Sequence, residues 1–169
     1  MFPEDIEAAA RRVVHDAVRS GVWLATAESC TGGLIAAALT QIPGSSEAYE
    51  QGFITYSNSA KSRLLHVPAS LLTTYGAVSE PVARAMADGT RLASGVDIAV
   101  SVTGIAGPGG GSADKPVGLV HFGLACADGT VQHHVEHYGD LGRERVRLAA
   151  VKTGLALLQQ AVDQVQPRP

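Results

Sequence analysis

Apolar residues recur three and four positions apart through Ile6, Ala9, Ala10, Val13, Val14, Ala17 and Val18, which gathers them on one face of a helix. The spacing predicts a helix over about residues 4–20, with Gly21 as its C-terminal stop. "VWLAT" (22–26) breaks that period with a short apolar run and reads as a buried strand. The turn "AESCTGG" and a helix over 33–41 follow it. The succession then repeats: "PGSS" (43–46) is a turn, "GFITY" (52–56) a strand and "NSAKSRLLH" (58–66) a helix. Helical segments over 68–76 and 79–94 come next, the second with Ser79 as N-cap and Pro81 in its first turn.

"DIAVSVT" (97–103) is almost entirely apolar or β-branched, as suits a central strand covered on both faces. Beyond the loop "GIAGPGGGSADKP", the runs "VGLVHFGLACA" and "TVQHHVEHY" flank Asp128-Gly129, a hairpin signal that predicts antiparallel neighbours. Val146, Ala149, Ala150, Leu157 and Ala161 mark a last helix from Leu141 to about residue 165, and "PRP" closes the chain. Helices alternating with strands predict an α/β fold, a three-layer α/β/α sandwich around a mixed, mostly parallel five-stranded sheet. Ligands in such sheets bind outside the carboxyl ends of the strands. Three exits there are polar: Glu28-Ser29, Tyr56-Ser57 and Thr103-Gly104.

Composition narrows the field. A length of 169 residues predicts a single domain over 1–169, and 46% hydrophobic against 17% charged residues excludes a disordered chain. A net charge of -3 argues against the basic surface that phosphate-backbone binding needs, so nucleic acid is not an expected partner. Cys30 and Cys126 have no metal-site spacing, which predicts a reduced, cytoplasmic protein. Acidic residues near the N-terminus and the lack of an apolar run of about 18 residues predict neither a signal peptide nor a membrane partner. A homo-oligomer is the expected assembly.

Ser29 lies between a strand and a helix, where Thr31, Gly32 and Gly33 let the backbone approach a ligand closely. Such a turn can stabilise an oxyanion, and it can equally be a Ser/Thr cap with glycines for packing. Cys30 is a rival nucleophile, since a helix N-terminus lowers a thiol pKa; it can also be a small buried hydrophobe. A serine needs a base, and neither GxSxG nor a P-loop occurs. Ser112 and Lys115 match SxxK, but the glycines before and the proline after them oppose the helix that pattern requires. Lys61 falls in a helical first turn, where a cation opposes the macrodipole; partial burial would lower its pKa toward that of a base. An ordinary solvated lysine is the alternative. His133 and His137 share a strand face about 13 Å apart and His134 points away, so no metal site is expected. Arg143 and Arg147, four apart on the last helix, could grip a phosphate or simply face solvent. The loop 104–111 could cradle phosphate or serve as a plain crossover.

Four ordered blocks, "AESCTGGLIAAALTQIPGSS", "GFITYSNSAKSRLLHVP", "YGAVSEPVARAMADG" and "AVSVTGIAGPGGGSADKPVGLV", resemble the C-terminal domain family of the competence/damage-inducible protein CinA, from about Ala8 to Leu158. The resemblance implies an α/β/α fold, no metal and no cofactor. It further implies hydrolysis of nicotinamide mononucleotide to nicotinate mononucleotide and ammonia in pyridine-nucleotide salvage. By the same resemblance Ser29 is the nucleophile and Lys61 its base, while Tyr56, Thr103 and Ser46 belong to the active site. Backbone N–H groups near Thr31 to Gly33 would hold the oxyanion. Cys30, Gly104 and the 104–111 loop would line the substrate, with phosphate held by that loop or by Arg143. A non-catalytic nucleotide-binding module and a competence- or damage-associated interaction protein are the alternatives.

Overall fold

The computed structural model of the chain describes residues 1–165. Its elements run α1 (Glu4–Ser20), β1 (Leu24–Glu28), α2 (Leu34–Thr40), β2 (Tyr49–Ile54), α3 (Asn58–Leu65) and α4 (Ala69–Tyr75). They continue with α5 (Glu80–Ser94), β3 (Ile98–Gly104), β4 (Leu119–Cys126), β5 (Val131–His137) and α6 (Arg143–Gln164). The five strands lie in the order β2-β1-β3-β4-β5. β1 pairs parallel with β2 and β3, while β4 pairs antiparallel with β3 and β5. Four strands therefore share one direction and β4 alone opposes them, the mixed sheet that the alternation of helix and strand predicts.

Side chains alternate across this sheet and divide the core in two. Leu24, Val100, Val102, Val120 and Phe122 pack on one face with Ile6 and Val13 of α1, Ile35 of α2 and Leu155 and Leu158 of α6. Ala27, on the other face, packs with Leu65 of α3, Leu72 of α4, and Val82 and Met86 of α5. Helices on both faces make three layers. A Cβ placed on Gly123 of β4 would stand 2.3 Å from the Ala83 carbonyl oxygen of α5, so only glycine lets this helix lie so close. The Ser101 hydroxyl fills the same seam, donating to Ala83 O at 2.6 Å and accepting from Gly123 N at 3.1 Å. Gly123→Ala is expected to destabilise the chain by about 1–3 kcal/mol, read as a lower Tm in thermal unfolding.

Several boundaries depart from the sequence pattern for local reasons. β1 begins at Leu24 because Trp23 is taken up outside the strand: its carbonyl accepts from Asp97 and Ile98, and its N–H donates to the Asp97 carboxylate. It runs on through Glu28 because that carboxylate finds partners inside the protein. β2 starts at Tyr49, whose phenol meets Thr26 Oγ1 at 2.7 Å, and a short 3-10 turn, Ser45–Glu47, precedes it. Ser79 stands at the N-cap position of α5, but its hydroxyl donates backward to Gly76 O. The closing "PRP" lies outside the described residues. Among the described residues no helix is long and apolar enough to cross a membrane.

Candidate active site

Because β2, β1 and β3 are parallel neighbours, their carboxyl ends open on one edge and bring all three polar exits together. The ladder continues one residue past β1, where Ser29 N donates to Val102 O and Thr55 N to Glu28 O. Alternation turns Ser29 to the face that holds Ala27, under α3 and α5. Lys61 enters from α3 on that face. It is only 1% exposed, and its Nζ lies 2.9 Å from Ser29 Oγ and donates to Thr55 O at 2.7 Å. The solvated-lysine alternative is thereby excluded. Burial pushes the Lys61 amine down from 10.5 to about 8, with Cys30 opposing that shift weakly. With one N–H held by the Thr55 carbonyl, a neutral amine can turn its lone pair toward the serine hydroxyl. A serine hydroxyl, an amine and a carbonyl that orients the amine thus stand in hydrogen-bonding sequence, an arrangement suited to nucleophilic chemistry.

The turn after Ser29 is built around Glu28. This carboxylate is 1% exposed and accepts from Thr31 Oγ1 at 2.6 Å, Gly33 N at 3.0 Å, Ile35 N at 3.1 Å and Ala36 N at 2.8 Å. It thus satisfies most of the amides that open α2. Gly32 N is also engaged, donating to Ser29 O at 3.1 Å. Of the amides from Thr31 to Gly33, those of Gly32 and Gly33 are therefore taken up within the protein. In this turn the N–H groups of Cys30 and Thr31 donate to no other residue among those described, so the open amides lie next to the serine. Gly32 and Gly33 serve the turn itself, at φ 60° and 96°, where a side chain would be strained.

Other expected site residues fall differently. Cys30 is not a low-pKa thiol, because burial raises it from 9.0 to about 12; its side chain packs in the core beside α6 and only its backbone faces the turn. Thr103 is buried and donates to Ala77 O at 2.9 Å, tying β3 to the segment before α5. Gly104 accommodates β4, since a Cβ there would lie 2.7 Å from Val120 Cγ2. Ser46 is exposed and lies apart from Ser29 within the chain: its 3-10 turn joins the start of β1 through Leu24 N to Ala48 O, about 16 Å of strand from Ser29 at ~3.3 Å per residue. Ser112 and Lys115 close a turn, not a helix, and Lys115 reaches the last carbonyl of α4, at Tyr75.

Arg143 is exposed and Arg147 half-buried, and both are engaged by groups near the strand exits. Arg143 donates to Gly107 O at 2.9 Å and to the exposed Tyr56 hydroxyl at 3.0 Å, bridging the glycine loop to the β2 exit. Arg147 donates to Cys30 O at 3.1 Å and Thr31 O at 2.9 Å. Arg147 thus borders the Ser29 turn and Arg143 the β2 exit, features visible in sequence only as an i, i+4 pair. His133 stacks on His121 of β4 with 2.9 Å between ring nitrogens, away from the spacing that separates it from His137. Among the described residues no group of three His, Cys, Asp or Glu could hold a metal ion. A groove of about 550 Å³ between α1 and α6, floored by Ala9, Leu155 and Ala156, contains none of the site residues.

Fold and site together define an α/β sandwich protein with a buried lysine on a serine at the exit of a parallel strand. The chain belongs to the CinA C-terminal domain family, whose model matches residues 6–162. It is 58% identical over 131 residues to a protein of Enterobacter agglomerans named nicotinamide-nucleotide amidohydrolase PncC, covering 77% of this chain and 79% of that one. A CinA-like protein of a Geobacter species is 49% identical over 159 residues, and there the chain spans 94% of its own length and 38% of the relative. The crystal structure of competence/damage inducible protein CihA from Agrobacterium tumefaciens superposes with a TM-score of 0.94 at 54% identity, covering 97% of this chain and 99% of that chain.

Proposed function

We propose that this protein is a nicotinamide-nucleotide amidohydrolase of the serine–lysine type, converting nicotinamide mononucleotide and water to nicotinate mononucleotide and ammonia. The observation that carries the reading is the 2.9 Å contact between Lys61 Nζ and Ser29 Oγ, made by an amine whose burial holds it near pKa 8. The name of the Enterobacter relative supports the substrate.

Neutral Lys61 takes the Ser29 proton as Oγ attacks the carboxamide carbon, and the carbonyl electron pair moves onto oxygen. The N–H groups of Cys30 and Thr31 receive that oxyanion; one such donor is typically worth about 3–4 kcal/mol. The Lys61 ammonium then protonates the departing nitrogen, which leaves as ammonia, and the ester of Ser29 remains. A water that gives its proton to Lys61 attacks this ester, and nicotinate mononucleotide leaves as Ser29 recovers its proton from Lys61. The cationic pyridinium ring disfavours a second positive charge nearby and so helps keep Lys61 neutral on binding. Tyr56 and Arg143 border the entrance, and Arg143 or the 104–111 loop receives the phosphate.

The experiment is ammonia release from nicotinamide mononucleotide, with nicotinamide and glutamine as comparison substrates. Only the mononucleotide should turn over rapidly. Arg143→Ala should raise KM for the mononucleotide about tenfold with a smaller change in kcat, as loss of uniform binding requires; unchanged KM would move the phosphate elsewhere. Cys30→Ala should stay within about tenfold of wild type, because a buried thiol with a pKa of about 12 supplies no thiolate near neutrality. We further propose a cytoplasmic homo-oligomer; sedimentation tests the assembly and cell fractionation the location.

A further inference from the structure

We infer that Glu28 and Arg147 are positioning residues that together make the oxyanion pocket of the Ser29 turn; the inference rests on the amidohydrolase reading above. A helix N-terminus offers several unpaired amides at once, and a pocket for one oxyanion must select among them. Glu28 removes the competitors. Its two carboxylate oxygens take the N–H groups of Gly33, Ile35 and Ala36 and the Thr31 hydroxyl, so the opening of α2 is neutralised from inside the protein instead of by a ligand.

Arg147 acts on the opposite side of the same turn. In a trans peptide unit the C=O and N–H point in opposite directions. The Cys30 carbonyl, gripped by Arg147 Nε at 3.1 Å, shares its peptide unit with the Thr31 N–H. Fixing that carbonyl toward α6 aims the Thr31 N–H away from α6, and charge on the oxygen makes the N–H a stronger donor. The Cys30 N–H shares its unit with Ser29 O, which accepts from Gly32 N at 3.1 Å. Both open donors are thus held through their own carbonyls. Arg147 also holds Thr31 O at 2.9 Å, so one planar guanidinium spans two successive peptide units, a fit that a lysine ammonium cannot reproduce. Gly32 leaves room for it, since a Cβ there would come within 3.3 Å of Arg147 Nη2.

The test uses the full chain with Arg147→Ala, Arg147→Lys and Glu28→Gln. Each variant should lose about 10²–10³ in kcat with KM within about threefold of wild type, the range expected for a lost oxyanion donor. Free guanidinium at millimolar concentration should restore much of the kcat of Arg147→Ala, whereas sodium or methylammonium at equal ionic strength should not. Wild-type kcat in Arg147→Ala, a loss confined to KM, or a loss insensitive to guanidinium would overturn the inference. Should Glu28→Gln not fold, the guanidinium arm decides alone. A parallel readout needs no assumption about the substrate. A serine-directed fluorophosphonate forms an Oγ–phosphorus bond and expels fluoride, with the serine proton passing to Lys61, and its phosphoryl oxygen occupies the same pocket. Its labelling rate should fall in Arg147→Ala and recover with guanidinium; equal rates in wild type and variant would refute the positioning role. A wild type that labels normally but releases no ammonia would instead sink the amidohydrolase reading and leave the pocket assignment standing on the labelling data.

Discussion

Replacing Ser29 by alanine is expected to lower ammonia release from nicotinamide mononucleotide by a factor on the order of 10⁴ or more, because removing a nucleophile that acts with its base abolishes the covalent route. The fold should survive. Ser29 is not part of the packed core, and the ladder bond from its backbone N–H to Val102 O does not depend on the hydroxyl. Thermal unfolding should therefore place Ser29→Ala close to wild type while activity vanishes. Substantial activity left in Ser29→Ala would mean that another group attacks the amide, and Cys30, buried at a pKa of about 12, would be a poor substitute.

Lys61→Met carries the second large effect. Loss of a general base costs about 10²–10⁴ in rate, and the pH profile should change with it. Lys61 serves as base only when neutral, and its pKa of about 8 leaves roughly a tenth in that form at pH 7. Wild-type kcat/KM should rise about tenfold between pH 7 and 9 and then level, while the methionine variant stays flat. Stability supplies an independent check. Below pH 8 the folded chain holds a buried ammonium; between about 8 and 10.5 the folded state binds fewer protons than the unfolded state. Wild-type stability should therefore climb relative to Lys61→Met across that window. A difference in Tm independent of pH would mean that the amine is not depressed by burial.

How much of this was legible beforehand depends on where each signal lies. The strand, turn and helix around "AESCTGG" follow from a change of hydrophobic period, and the gathering of three polar exits follows from parallel β2, β1 and β3. The pairing of Ser29 with Lys61, 32 positions apart, could be proposed from the four-block resemblance but not from spacing. Glu28 left no local signal, since an acid at a strand exit ordinarily faces water; only the α2 amides folded over it explain its burial. Arg147 was ambiguous for a similar reason, because an i, i+4 arginine pair looks alike whether its partner is solvent or a carbonyl in a turn 116 residues earlier. The amides proposed to receive the oxyanion are those of Cys30 and Thr31 and not those of Gly32 and Gly33, because Gly32 N bonds Ser29 O and Gly33 N bonds Glu28. Ser46 illustrates the converse: it closes the same sequence block as Ser29, yet within the chain it lies at the far end of the strand. The His121–His133 contact needed the register of β4 against β5, which a histidine count cannot supply.

The serine held by a buried lysine at the β1 exit is proposed to hydrolyse the carboxamide of nicotinamide mononucleotide. The most direct test is ammonia release from that mononucleotide by the wild type and by Ser29→Ala in parallel, with both proteins verified as folded. Stoichiometric ammonia and nicotinate mononucleotide are expected from the wild type and none above background from the variant. Equal release from both proteins, or none from a folded wild type, would contradict the proposal.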